Sequence, residues 1–233
     1  MRLLRQGELE LVGRLVDASN ATFYCEAALG DDRLTCVYKP IKGERRLWDF
    51  PTGTLAYREV AAYAVSAASG WRLVPPTVYR DDGPFGPGMC QQWIDVDETV
   101  DLVALIRSSV PQLKRMAAFD AVVNNADRKG GHLLPIPDGH VYGVDHGVCF
   151  AAEDKLRTVL WQWAGDELDD EATAVLGSLR DQLSPGAGLA QRLGRLLAPE
   201  EVAATRARVD RLLHTGRYPE PSDEWPAVPW PPF

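Results

Sequence analysis

The run Phe119-Asp-Ala-Val-Val-Asn-Asn-Ala-Asp-Arg-Lys-Gly-Gly-His-Leu-Leu134, followed by Val141-Tyr-Gly-Val-Asp-His-Gly-Val-Cys-Phe150, constrains this chain more than any other feature. An apolar helical pattern ends in a polar loop carrying Asp127, Arg128 and His132. Two short apolar segments, 133–136 and 141–144, then bracket a Pro-Asp-Gly turn, which is the pattern of a β-hairpin. Asp145 stands at the mouth of that hairpin, on the same side as the loop. Local geometry alone therefore gathers two carboxylates and an imidazole. Such a set suits phosphoryl transfer: one Asp orients a hydroxyl, and a pair of ligands holds Mg²⁺ or Mn²⁺ on a nucleotide. Taken singly, each residue has a plainer use. Asp127-Arg128 reads as a surface ion pair, His132 as a packed histidine beside Gly130-Gly131, and Asp145 as a turn residue ahead of Gly147. Their order and spacing together favour the chemical reading.

The upstream sequence supplies complementary groups in the order such a site needs. Residues 9–16 and 22–29 read as strands joined by the small polar loop Asp17-Ala-Ser-Asn20. Gly30-Asp-Asp32 turns the chain into a third strand, 34–38, which runs into Lys39. Ser19 and Asn20 offer hydroxyl and main-chain N–H groups to phosphates, although a loop without glycine also reads as an ordinary hairpin. Lys39 is either a snorkelling edge residue or a cation aimed at a ligand's phosphates. A helical pattern covers 55–68, with Glu59 one turn in. A Lys on a strand and a Glu on the next helix suit the ion pair that steadies a kinase lysine, whereas the local alternative for Glu59 is its neighbour Arg58. The mixed-charge stretch 41–50, with Trp48, reads as a flap or a plain surface loop.

Residues 89–94 form a further strand that runs into an acidic stretch, and the connection between two lobes is placed at 93–98. There Gln92 and Trp93 sit where main-chain N–H and C=O groups would meet adenine. From Leu102 onward helical patterns dominate, at 102–106, 112–123 behind Pro111, 166–176, 179–183, 189–197 and 199–214. The closing stretch 218–233 holds six of the chain's 17 prolines together with Trp225 and Trp230, and it is expected to pack.

Composition limits the alternatives. A chain of 233 residues can bury a substantial core in one large domain or two packed lobes. Its net charge of −8 argues against general affinity for nucleic acid or anionic membranes. No apolar run approaches the roughly 20 residues that span a bilayer, and the first residues do not read as a signal peptide. Four scattered cysteines without a CxxC pair read as buried thiols of a cytoplasmic protein.

Several pieces, Val37-Tyr-Lys-Pro40, Leu55-Ala-Tyr-Arg-Glu-Val-Ala-Ala-Tyr63, Val74-Pro-Pro-Thr77, Asn125-Ala-Asp-Arg128 and Val144-Asp-His-Gly147, carry a family resemblance when taken in order. Leu156-Arg-Thr158 and Trp161-Gln-Trp163 extend it. The chain resembles the phosphatidylinositol 3-/4-kinase-like superfamily over residues 10–165, most nearly the type II phosphatidylinositol 4-kinases, and within that an actinobacterial branch that an Arg-to-Lys ratio of 20 to 5 suits. The resemblance implies a two-lobed kinase fold with ATP between the lobes. It makes Asp127 the catalytic residue, Lys39 and Glu59 the pair at the ATP phosphates, and Asp145 the main metal ligand. His132 stands where the family pattern has Asn, and imidazole favours Mn²⁺ or other transition metals more than an amide does. The chain shows neither room for large lipid-docking insertions nor a palmitoylation-type cysteine cluster, which points away from a lipid acceptor.

The expectation is an α+β, two-lobed protein-kinase-like fold, with an antiparallel-sheet N-lobe over 1–95 and a mainly helical C-lobe over 96–233. It would transfer phosphate from ATP to a protein Ser/Thr hydroxyl, its own included, or to a small polyol. Asp127 is the catalytic candidate; Lys39, Glu59, Ser19, Asn20, Gln92 and Trp93 are the ATP candidates; His132 and Asp145 are the metal candidates. Arg128 and Lys129 are candidates to meet the transferred phosphate. A nucleotide-binding pseudokinase, a nucleotidyl (AMP) transferase on the same fold, and a metal-dependent hydrolase built on Asp127, His132 and Asp145 remain open. No nucleic-acid partner or integral membrane association is expected.

Overall fold

The computed structural model describes residues 1–15 and 20–233. A short helix, α1 (Arg2–Gln6), leads into the antiparallel strands β1 (Glu8–Leu15), β2 (Thr22–Leu29) and β3 (Asp32–Pro40). Helix α2 (Leu55–Ser69) follows, then β4 (Thr77–Arg80) and β5 (Gly88–Gln92), and the sheet runs β1-β2-β3-β5-β4 with every neighbouring pair antiparallel. Side-chain alternation decides which way β3 faces. Cys36 and Tyr38 are fully buried on one face with Cys25, Cys90 and Leu4 of α1, so Val37 and Lys39 point from the other. All four cysteines are free and buried, as their spacing implied. Helix α1 was not legible in the sequence: five residues are too few to show a period.

The second half holds α3 (Leu102–Ile106), α4 (Pro111–Val123), the hairpin β6 (Leu133–Pro135) and β7 (Val141–Gly143), α5 (Asp170–Gln182), α6 (Gly188–Leu193) and α7 (Pro199–Thr215). Two helical expectations are corrected here. Helix α5 begins at Asp170 rather than at 166, because the Asp169 carboxylate accepts from the Ala172 N–H at 2.8 Å and sets the start. It then runs through 179–182 without a break, so two expected helices are one. Pairing of β4 begins at Thr77, since the preceding Pro75 and Pro76 have no N–H to give.

Helix α2 joins the two halves. Its Ala61, Ala62, Ala64 and Val65 lie in the main core with α4, α5, α6 and α7, while Ala56 and Val60 meet Met89 of the sheet. The Glu44 carboxylate accepts from the Leu55 and Ala56 N–H groups at 3.2 and 2.8 Å and caps the helix. Arg58 is buried: it donates to the Cys149 carbonyl at 2.7 Å and to the Glu201 carboxylate of α7. Among the described residues no helix is long and apolar enough to cross a membrane. Removing one partner of a buried pair strands the other's charge. Arg58→Ala is therefore expected to lower the unfolding free energy by about 3 kcal/mol in urea denaturation, and a change within 0.5 kcal/mol of wild type, the range of surface substitutions, would contradict the locking role.

Candidate active site

A cleft of about 610 Å³ opens between the sheet and the helical half. Leu15, Thr22 and Val37 line it from the sheet, Leu134 and Val144 from the hairpin, and residues 93–96 from the connecting segment. These give largely apolar surfaces on two sides, which suits a flat heteroaromatic ring.

At the inner end stands Lys39. Its Nζ donates to Glu59 Oε1 at 2.7 Å and to Asp145 Oδ1 at 2.6 Å. The other Glu59 oxygen accepts from the His146 N–H at 2.9 Å, so one buried carboxylate fastens β3, α2 and the turn after β7. Asp145 has φ of +64°, a left-handed conformation that Asp tolerates better than most residues, and about half of its side chain is exposed in the cleft. The Lys39 ammonium holds that carboxyl well below the usual range. Burial pushes Lys39 down, but Asp145 and Glu59 outweigh it and keep the ammonium above its ordinary value.

His132 Nε2 lies 3.5 Å from Asp145 Oδ2. Burial lowers the imidazole to about 4, so it is neutral at physiological pH. A neutral imidazole and a carboxylate oxygen at this separation suit two ligands of one divalent ion. The Lys129 N–H points at Nδ1 from 3.5 Å, which puts the ring proton on Nε2. Among the described residues no group of three or more His, Cys, Asp or Glu could hold a metal, so these two donors could supply only part of an ion's coordination shell.

Asp127 is delivered by the end of α4. Asn124 takes a left-handed conformation (φ +53°) and stops the helix, and its side chain ties the loop to the Ala151 and Glu153 carbonyls at 2.9 and 2.6 Å. Asn125 bridges Asp120, to which it donates, and the Asp127 N–H, from which it accepts. Burial raises the Asp127 carboxyl, and Lys129, 3.6 Å away, opposes that shift.

Arg128 is corrected. It is fully buried, with Nε and Nη2 on the two Asp120 oxygens at 2.9 and 2.8 Å, Nη1 on the Val144 carbonyl, and Nη2 2.7 Å from His146 Nε2. It braces the loop against the hairpin and is neither a surface ion pair nor a phosphate contact. Asp120, His146 and Asn125 have no individual role in the sequence reading, and Arg58, the local alternative partner for Glu59, goes instead to Cys149 and Glu201. The available signal was a charge, Asp120, set among the apolar residues 117–123, where burial demands a partner.

Lys39, Gln92, Trp93, His132, Asp145 and Asn20 all line the cleft, whereas Glu59 sits behind Lys39. The Gln92 and Trp93 N–H groups are already given to the Pro76 and Thr35 carbonyls, at 2.9 and 3.0 Å. Any main-chain donor to a ring must come from beyond Trp93. Asn20 accepts from the Arg45 N–H at 2.7 Å, which ties it to the 41–50 loop, and Ser19 lies outside the described residues.

The arrangement of an antiparallel sheet followed by a mainly helical half is kinase-like in fold. The chain superposes on the Helicobacter pylori proinflammatory kinase CtkA with a TM-score of 0.50, at 9% identity, over 92% of this chain and 94% of that one. The chain belongs to the same family as Protein Rv2133c of Mycobacterium tuberculosis, with which it is 46% identical over 266 aligned positions covering 99% of this chain and 94% of that protein. It is also 24% identical to phosphatidylinositol 4-kinase gamma 4 of rice, Oryza sativa subsp. japonica, over 70% of its own length; that match spans 35% of the plant protein. No described protein-family profile matches the chain.

His132 and His146 are both lowered by burial, His146 well below its ordinary value. Between about pH 4 and 6.5 the unfolded chain then binds more protons than the folded one, and these groups cost stability as the pH falls through that window. The His132 ring proton signal is expected to stay flat from roughly pH 5 to 8 in an NMR titration. A midpoint near 6.5 would contradict the neutral, desolvated imidazole.

Proposed function

We propose that the chain is an ATP-dependent phosphotransferase of the phosphatidylinositol-kinase-like type, nearest the type II phosphatidylinositol 4-kinases, acting in the cytoplasm on an alcohol group. The observation that carries this reading is the convergence of Glu59 and Asp145, from two other elements, on Lys39 at the inner end of the cleft. The match to the plant kinase sequence supports it.

In this reading adenine enters between Val37 and Val144, and Lys39 meets the nucleotide's phosphates while Glu59 holds it in place. Asp145 and His132 would hold a divalent ion, Mg²⁺ or Mn²⁺, which supplies charge neutralisation on the β- and γ-phosphates when bound. Asp127 orients the acceptor hydroxyl and takes its proton as the new O–Pγ bond forms and the Pγ–O bond to ADP breaks. Burial suits Asp127 to this, since a carboxyl raised toward neutrality is a better proton acceptor. Lys129, 3.6 Å from Asp127, would meet the transferred phosphoryl group. The acceptor is a protein Ser/Thr hydroxyl or a small polyol.

ATP labelled separately at the α- and γ-phosphate tests the reaction class. Transfer of the γ-label, reduced about 10²–10⁴-fold by Asp127→Asn and abolished by Asp145→Ala, is the expected result. Transfer of the α-label would replace it with nucleotidyl transfer. No transfer of either label, with ATP still raising the melting temperature, would make the chain a nucleotide-binding regulator.

A further inference from the structure

The stretch expected only to pack, 218–233, runs along the catalytic loop. Beside Asp127, the segment 157–159 pairs by one edge with the loop: the Arg157 N–H donates to the Asn125 carbonyl at 2.9 Å, and Val159 N–H to the Arg128 carbonyl at 3.1 Å. Alternation turns the Thr158 N–H to the opposite edge. That N–H donates to the Ala227 carbonyl at 3.0 Å, the Arg157 Nε to Pro226 at 3.2 Å, and the Gly130 N–H, three residues past Asp127, to Pro232 at 2.8 Å. Carbonyls of 226–232 therefore occupy the outward main-chain donors that flank the base.

The segment is pinned at both ends. At one, Lys155 Nζ lies 4.8 Å from the centre of the Trp225 ring and 5.2 Å from that of Trp48 of the 41–50 loop, and it pairs with Asp49 at 3.3 Å. At the other, the Phe233 ring lies over Gly130, where any Cβ would run into it. One mode by which an extended polypeptide docks is addition to a free backbone edge, and beside Asp127 that edge is filled. Arg157, held on Pro226, makes no ion pair within 4 Å among the described residues, yet it stands close enough to act electrostatically on Asp127.

We propose that residues 226–233 form a wall of the acceptor site and restrict it to compact hydroxyl compounds, shutting out polypeptide segments; this rests on the phosphotransferase reading. Arg157 and Lys129 stand beside Asp127, so the compound accepted carries an anionic group within reach of them. The transfer itself is unchanged: the γ-phosphoryl group moves to the compound's oxygen, ADP leaves, and the hydroxyl proton goes to Asp127.

The test incubates the full chain with γ-labelled ATP, Mn²⁺ or Mg²⁺, casein, and a deproteinised extract of the source cells. It is repeated with Trp225→Ala/Phe233→Ala, which releases both pins, and with Trp230→Ala, an exposed control on the same segment. The expected result for the intact chain and the control is label in small organic compounds other than inorganic phosphate, with casein unlabelled. The double variant should label casein about tenfold faster, because the open fraction rises by that factor. Arg157→Ala should raise the KM of the labelled compound while leaving the ATP-induced thermal shift unchanged. Equal casein labelling by intact chain and double variant would overturn the proposal, as would unlabelled small compounds while ATP still shifts the melting temperature. If ATP shifts neither protein, the phosphotransferase reading itself falls, and the acceptor proposal with it.

Discussion

Glu59 is the side chain on which the arrangement depends. Both of its oxygens are committed, one to the ammonium of Lys39 on β3 and the other to the main-chain N–H of His146, and it is almost wholly out of water. A buried carboxylate is costly unless each oxygen is satisfied, so the sheet, α2 and the turn after the hairpin are held in one relation. Its neighbour Arg58 meets Cys149 and Glu201 from the same turn of helix, which leaves α2 little freedom to swing away from the helical half. The Lys–Glu pair is thus assembled by the fold itself.

A second buried set, Asp120, Arg128, Asn125 and His146, does for the loop what Glu59 does for the sheet. Such pairs contribute little net stability, because desolvation offsets most of their attraction, but they specify geometry. They fix the loop that carries Asp127, whose N–H is held by Asn125 and whose carboxylate lies 3.6 Å from Lys129. The titratable groups gathered near Lys39 have environments that differ: Asp145 stays ionised beside Lys39, Asp127 is raised by burial, and His132 is neutral.

Much of this could be read from the chain because the informative features are local. The hairpin announces itself through Pro137-Asp-Gly139, and Asp145 follows its second strand directly. Lys39 faces the cleft because Cys36 and Tyr38 face away, which is a period-two argument. Glu59 falls one turn into a helix whose start is marked. The parts that stayed hidden depend on long-range partners. Arg128 looks like a surface residue until Asp120, eight positions earlier on α4, is seen to claim it. The Gln92 and Trp93 amides looked free until Pro76 and Thr35 took them. The path of 226–233 follows no period, since six prolines in 218–233 suppress one, and only tertiary contacts show where it lies.

The central claim is that Lys39 is held by Glu59 and Asp145 in order to receive a nucleotide. Calorimetric titration of ATP, with Mg²⁺ and with Mn²⁺, into the wild-type chain and into Lys39→Met measures it most directly. Binding by the wild type, weakened by about tenfold or more in a variant that keeps its fold, is the predicted result; tenfold corresponds to ~1.4 kcal/mol, within the range of one charge-assisted contact. Equal affinity in the two proteins, or no binding by either, would contradict it.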